Sequence, residues 1–172
     1  AQNRLKGVGF LSREDAINYG VTGPSGRGSG WACDVRKRSP YAAYDKVQFD
    51  EVLYNEGDSY ARYMVRMKEI EQSLHILEQL VDNIPEGDYL AKTKPIIKVP
   101  EGRYFKEVEA ARGAFGIYLE SRGDKFPYRL KVNSPGFNLV GAVDHMTRGS
   151  KIADLIAIGG SLDYVCLLYT SP

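Results

Sequence analysis

The chain has 172 residues, 43% hydrophobic and 26% charged, with a formal net charge of +1. That is the size and balance of one ordinary globular domain and excludes a disordered chain. The near-neutral charge, with Arg36, Lys37 and Arg38 as the only dense basic run, leaves no electrostatic footprint for nucleic acid. Cys33 and Cys166 belong to no Cys-x-x-Cys pair, so neither a zinc site nor a disulfide framework is indicated. No apolar run approaches the roughly 18 residues that span a bilayer.

In chain order, Ser12 followed three residues later by Asp15 resembles a capping box that opens a short helix, which Gly20 ends. The next stretch, TGPSGRGSGWACDVRK, sets Gly23, Gly26, Gly28 and Gly30 close together. A phosphate-binding loop also needs a buried strand before the glycines, a helix N-terminus after them and usually a Lys-Ser or Lys-Thr pair. None is present, so the stretch is expected to be an irregular, backbone-dense connector whose glycines serve close packing.

From Ser59 to Ile84, the residues Tyr60, Met64, Met67, Ile70, Leu74, Leu77, Val81 and Ile84 fall at alternating spacings of three and four. They draw one stripe down a helix. Asp58 or Ser59 caps its start, and Pro85 with Gly87 stops it. At 1.5 Å per residue the helix is about 38 Å long, too long to bury its stripe against the rest of this chain, so neighbouring helices are expected.

After a connector from Lys92 to Pro100 the period changes to two. Phe115, Ile117 and Leu119, then Tyr128, Leu130 and Val132, predict a β-hairpin turned by SRGDKFP, with a third strand near Phe105 to Ala110. Pro135 and Gly136 end the sheet. Two short helices follow, Asn138 to Thr147 and Ser150 to Ile158, broken at Gly149 and stopped by Gly159 and Gly160. The expected fold class is α+β: a long bundle helix, a small antiparallel sheet and two short C-terminal helices.

Among chemistry-bearing residues, Glu71, His75 and Glu78 share a helix face. A di-metal bundle needs two Glu-x-x-His motifs and two further glutamates, so these read as a solvated face. His145 lacks an identifiable partner and reads as a hydrogen-bonded helix residue. Arg122-Gly123-Asp124 falls where the hairpin must turn. Asp163 follows an almost fully apolar helix, and a carboxylate at the end of a buried element demands a partner. It either marks a functional site or serves as a cap or an ion pair to Arg148 or an arginine upstream.

Five stretches, TGPSGRGSGWACDVRK, YDKVQFDE, GDSYARYMVRMKEIEQSLHIL, VEAARGAFGIYLESRGDKFPYRLKVNSPGF and RGSKIADLIAIGGSLDYV, stand in that order. Together they closely resemble the C-terminal part of the D subunit of bacterial proton-pumping NADH:quinone oxidoreductase, respiratory complex I. The resemblance covers residues 1–165 and implies a peripheral subunit on the cytoplasmic side of the bacterial inner membrane. There the family is held by its B and C subunits and the membrane H subunit. With the B subunit it forms the cavity where quinone, the substrate, is reduced in a reaction coupled to proton translocation. The terminal iron–sulfur cluster sits on the B subunit, and no cofactor is bound by this chain.

By the same resemblance Arg27, Asp34 and Arg36 match the family's charged connector positions, while Asp163 and Val165 line the quinone cavity. The family shares ancestry with the large subunit of nickel–iron hydrogenases, whose metal is held by two Cys-x-x-Cys pairs that Cys33 and Cys166 do not supply. Two departures stand out. The His and Tyr that contact the quinone headgroup belong to an N-terminal part absent here, and Ala1 at the start reads as the opening of a fragment, not expected to be active alone. The last seven residues, CLLYTSP, depart from the family and are expected to be a non-native tail, 166–172. The alternative reading is a non-catalytic assembly or docking module of a related complex.

Overall fold

The computed structural model describes residues 2–93 and 96–164; Val165 and the expected tail lie outside them. The elements in order are α1 (Gln2–Leu5), α2 (Arg13–Tyr19), α3 (Gly23–Arg27), α4 (Val35–Arg38), α5 (Ser59–Val81), β1 (Gly102–Ala110), β2 (Gly113–Ser121), β3 (Arg129–Asn133), α6 (Pro135–Gly141), α7 (Val143–Thr147) and α8 (Ile152–Leu162). This is the expected α+β architecture. The Ser12 hydroxyl accepts a hydrogen bond from the Asp15 amide at 3.0 Å, and Gly20 closes α2 in the left-handed conformation, as the sequence signals require. No described helix is long and apolar enough to cross a membrane.

Helix α5 has 23 residues, about 35 Å at 1.5 Å per residue. Asp58 caps it, accepting from Ala61 N at 2.7 Å through one oxygen and from Gly7 N at 2.7 Å through the other. Its buried residues are Ser59, Ala61, Arg62, Val65 and Ile76. Most of the stripe that identified the helix, Met67, Ile70, Leu74, Leu77 and Val81, is exposed. The helix therefore turns a mixed face with two arginines toward its own chain and presents most of the apolar stripe outward. It ends three residues before Ile84, which is also exposed; with nothing to bury there, the last turn gains too little to offset the ordering of its backbone.

Strands β1, β2 and β3 form an antiparallel sheet in that order. The register runs from Gly102 opposite Ser121 to Ala110 opposite Gly113, and from Gly116 opposite Asn133 to Glu120 opposite Arg129. Ala111 and Arg112 make the tight turn between β1 and β2. The strand expected at Phe105 to Ala110 extends back to Gly102.

The C-terminal region differs from expectation in three ways. Pro135 opens α6 instead of ending the sheet region alone, as proline does well in a first helical turn, where its missing N–H has no intrahelical partner. The single helix expected from Asn138 to Thr147 is two, meeting at Ala142. Helix α8 runs through Gly159 and Gly160 to Leu162. A mid-helix glycine costs about 1 kcal/mol, while full burial of one leucine or isoleucine returns about 1.5–3 kcal/mol; Ile158 and Leu162, both fully buried, hold the helix on either side of the pair. They join Leu11, Ala16, Val21, Leu139, Ala142 and Met146 in the main core. A second, smaller cluster of Val47, Phe49 and Ile76 lies under the C-terminal half of α5.

Candidate functional site

The glycine-rich connector contains the five-residue helix α3, all of it buried, where an irregular loop is expected from the sequence. A Cβ on Gly23, whose φ is +71°, would lie 2.5 Å from the Gly113 Cα in the β1–β2 turn. Gly28 passes close to helix α5, with Arg62 Cγ at 3.0 Å and Arg62 N at 3.2 Å from a Cβ placed there. Thr22 completes the junction, its hydroxyl accepting from Ala114 N at 2.9 Å. The glycines thus let the connector, the β1–β2 turn and α5 approach one another closely, as expected for packing.

Arg27 ends α3 and is 1% exposed. Its Nε donates to Glu69 Oε1 of α5 at 2.6 Å and its Nη1 to Glu109 Oε1 of β1 at 2.7 Å, with Asp34 at 3.9 Å. Glu109 accepts from Val35 N at 3.0 Å, and Asp34 is gripped by the Nε and Nη2 of Arg36 at 2.6–3.2 Å. Arg36 in turn lies over the Phe49 ring, 4.9 Å from its centroid. Burial works against the charge on Arg27, yet Glu69 and Glu109 raise its pKa above the ordinary arginine value. Burial likewise opposes ionisation of Asp34, but Arg36 and Arg27 hold its pKa below the usual carboxylate value. For Glu109 burial wins and lifts the pKa despite Arg27. Arg27, Asp34 and Arg36, the charged connector positions of the resemblance, thus stand in one network tying the connector to α5 and β1.

At the end of α8 the chain turns at Asp163, which adopts φ 54°, ψ 39°, a left-handed conformation that Asp tolerates better than most residues. Arg112 Nε donates to Asp163 O at 3.1 Å and lies 3.2 Å from Oδ2, while Nη2 reaches Oδ1 at 3.4 Å. Arg66 Nη2 donates to Leu162 O at 3.3 Å, and Arg62 Nε to Ser161 Oγ at 2.9 Å. Three consecutive residues are each held by a different arginine. Arg62 is fully buried and, among the described residues, no carboxylate pairs with it; its other N–H groups donate to Gly57 O, Gly9 O and Ser59 Oγ at 2.7–3.0 Å. Burial lowers its pKa to about 9, which leaves it protonated at neutral pH. Arg66 is also lowered by burial, against the pull of Asp163 and Glu69.

The Asp163 side chain is 46% exposed, so the expectation of a carboxylate with little room for solvent does not hold: the left-handed turn swings it out of the core that Leu162 enters. Its partner is Arg112; Arg148 pairs instead with Asp144 on its own helix. Two clefts share Arg66 and Asp163 in their linings. One, of about 350 Å³, reaches Arg27, Glu69 and Glu109; the other, of about 340 Å³, reaches Tyr63, Ile156 and Leu5. A charged recess and a more apolar one thus adjoin at Asp163. Nothing in the sequence singles out Arg112, although two arginines four apart, Arg62 and Arg66, must share a face of the predicted helix.

His145 has a partner after all, Asp15 Oδ2 at 3.3 Å from its Nε2. His75 and Glu78 lie exposed at 3.7 Å, and among the described residues no group of three or more His, Cys, Asp or Glu is arranged to hold a metal. Cys33 is buried with its thiol against Gly23 O at 3.9 Å, and burial raises its pKa to about 12.

The family model for the respiratory-chain NADH dehydrogenase 49 Kd subunit matches residues 1–98 and 91–167. Over 165 residues the chain is 67% identical to the fused C/D subunit of the NADH-quinone oxidoreductase of Phocaeicola vulgatus, covering 96% of this chain and 32% of the relative. It is 54% identical to the D subunit of the NADH-quinone oxidoreductase of Desulfotalea psychrophila over 163 residues, and 46% identical to the D subunit of the Bacillus cereus enzyme over 164, covering 44% and 45% of those proteins. The chain thus spans about a third of the fused relative and less than half of the separate D subunits. It belongs to the 49 Kd subunit family.

Proposed function

We propose, from that membership, that the chain forms one wall of the cavity in which an NADH-quinone oxidoreductase reduces quinone. On this reading the facing wall is the B subunit with its iron–sulfur cluster, and this chain binds no cofactor of its own. The C subunit and the membrane H subunit hold it peripherally on the cytoplasmic side of the inner membrane. Asp163 serves as the polar or proton-linked group of the wall and Val165, two residues on, as an apolar one.

The observation that best supports this reading is the position of Asp163: a half-exposed carboxylate common to the linings of a charged recess and a more apolar one. Such a junction suits a ligand with a polar headgroup and an apolar body, and clefts of a few hundred Å³ lined by apolar residues with a few placed polar groups are the usual form of small-molecule sites. Electron transfer to quinone must be matched by protons, so a carboxylate within reach of the headgroup has a role as donor or relay.

The test uses the assembled oxidoreductase carrying this sequence. Asp163→Asn removes the charge at nearly constant shape and is expected to slow quinone reduction while the complex assembles. If Val165 lines the cavity, Val165→Met adds volume to its wall, a change costing about 1–3 kcal/mol in fit, and is expected to weaken quinone or inhibitor binding, about tenfold for each 1.4 kcal/mol. Electron entry from NADH to an artificial acceptor stays unchanged in both. Wild-type quinone kinetics and inhibitor sensitivity in both variants would overturn the cavity reading, and loss of the assembled complex would assign the residues a structural role, as in a docking module.

A further inference from the structure

We infer that Arg112, in the β1–β2 turn, is a positioning residue for the quinone site: it acts through Asp163, setting the direction in which that carboxylate faces the clefts. The inference rests on the reading of Asp163 as a cavity group.

Asp163 occupies a left-handed conformation, one of two non-glycine residues with positive φ among those described, and a backbone held there needs its surroundings to determine it. The C-terminal carbonyls of a helix have no intrahelical donors. At the end of α8 they are supplied by side chains from two other elements: Arg66 donates to Leu162 O and Arg112 to Asp163 O. Arg112 alone also meets both oxygens of the Asp163 carboxylate, at 3.2 and 3.4 Å. A planar guanidinium that contacts the backbone carbonyl and both carboxylate oxygens of one residue fixes that side chain in direction, which a point charge such as lysine does not do.

The arginine is itself placed. It sits in a two-residue turn closed by Gly113, whose φ is +137° and whose neighbours at an added Cβ would be Thr22 Oγ1 at 2.5 Å and Gly23 N at 3.0 Å. Ala114 N donates to the Thr22 hydroxyl at 2.9 Å. The glycines of the connector and of the turn thus lock the base of Arg112 against α3, whose Arg27 is tied to α5 through Glu69. Since α5 also carries Arg62 and Arg66, all three arginines that hold residues 161–163 are referred to one frame.

The experiment is a double-mutant cycle in the assembled oxidoreductase, with Arg112→Gln, Asp163→Asn and both together, plus Arg112→Lys. KM and kcat for a short-chain quinone are read over a range of pH. The pair is more than a third exposed, so the expected effect of Arg112→Gln is modest, about threefold to tenfold in kcat/KM. The double variant is expected to match Asp163→Asn alone, because an arginine that works through the carboxylate has nothing to orient once the charge is gone. Arg112→Lys is expected to recover part of the loss. Additive effects, or an Arg112→Gln enzyme with wild-type quinone kinetics beside an impaired Asp163→Asn enzyme, would overturn the positioning role while leaving the cavity reading intact. Failure of both Arg112 variants to assemble would overturn it as well, in favour of a purely structural arginine. Unaltered kinetics in Asp163→Asn would instead defeat the underlying reading.

Discussion

Replacing Arg27 by methionine isolates what holds the connector in place. The side chain is 2% exposed and makes its two short charge-assisted hydrogen bonds to Glu69 and Glu109, of which Glu109 is itself buried, with the fully buried Asp34 close by. Removing Arg27 takes the cationic partner from Glu69 and Glu109, leaving Glu109, among the described residues, only the Val35 amide in a poorly solvating site, and breaking a buried ion pair in this way costs about 3–5 kcal/mol. Against a total stability of roughly 5–15 kcal/mol that is a large fraction, and for a chain of this size it corresponds to a drop in melting temperature of roughly 6–20 °C. Arg27→Lys keeps the charge but reaches fewer acceptors from one position, so its loss is expected to be smaller. Urea unfolding at low protein concentration, where the midpoint no longer depends on concentration, measures both. Adding Glu109→Gln to Arg27→Met is expected to restore part of the loss, because it removes one of the stranded carboxylates. A stability within about 1 kcal/mol of the parent in Arg27→Met, a value typical of an exposed pair, would refute the network as the anchor of the connector.

Three further outcomes follow from the same structure. At high concentration the isolated chain is expected to self-associate through the exposed residues Met67, Ile70, Leu74, Leu77 and Val81; a single monomer boundary in sedimentation with cooperative unfolding would count against this. The Cys33 thiol, pushed up to about 12 by burial, is expected to resist alkylation in the folded chain and to react on unfolding, which mass spectrometry of the peptide carrying it resolves. Because Asp34 is held below its ordinary value of 3.8, it contributes stability that is fully present above that value and is lost as pH falls through the depressed native one. Asp34→Asn should therefore flatten the acid limb of the stability profile, and an unchanged acid limb would contradict the assignment.

The periodic signals in the sequence marked the elements well: the capping residues of α2, the stripe of α5 and the alternation of the hairpin all correspond to observed structure. What periodicity does not carry is which way a face points. The stripe of α5 is largely exposed, and the face that packs on this chain sets Ser59 and Arg62 among Ala61, Val65 and Ile76, a mixed face that draws no apolar stripe. Gly159 and Gly160 read as a stop because propensity is local, while the burial of Ile158 and Leu162 that overrides it is tertiary. The candidate site was partly legible for the same reason. Asp163 could be singled out by its place after an apolar helix, whereas Arg112 comes from a turn 51 residues away in sequence, and only the packing of Gly113 on Gly23 brings it there.

These two outcomes have one physical origin. The chain's interior is held in part by charge: among the described residues Arg27 and Arg62 are the largest fully buried side chains, and both bond across elements. A buried guanidinium tolerates burial only when its several donors are matched in fixed directions, so such a core specifies geometry more sharply than it adds stability. Its apolar surplus, on α5 and on Ile152 and Ile156 of α8, faces outward. Such a chain ties its helices and its sheet together by directional bonds while leaving apolar faces exposed, and Asp163 sits at the end of α8 between an arginine of α5 and one of the β1–β2 turn. On the proposed reading of this chain as a cavity wall, holding one carboxylate at a fixed place needs directional restraint of this kind more than it needs a larger apolar core.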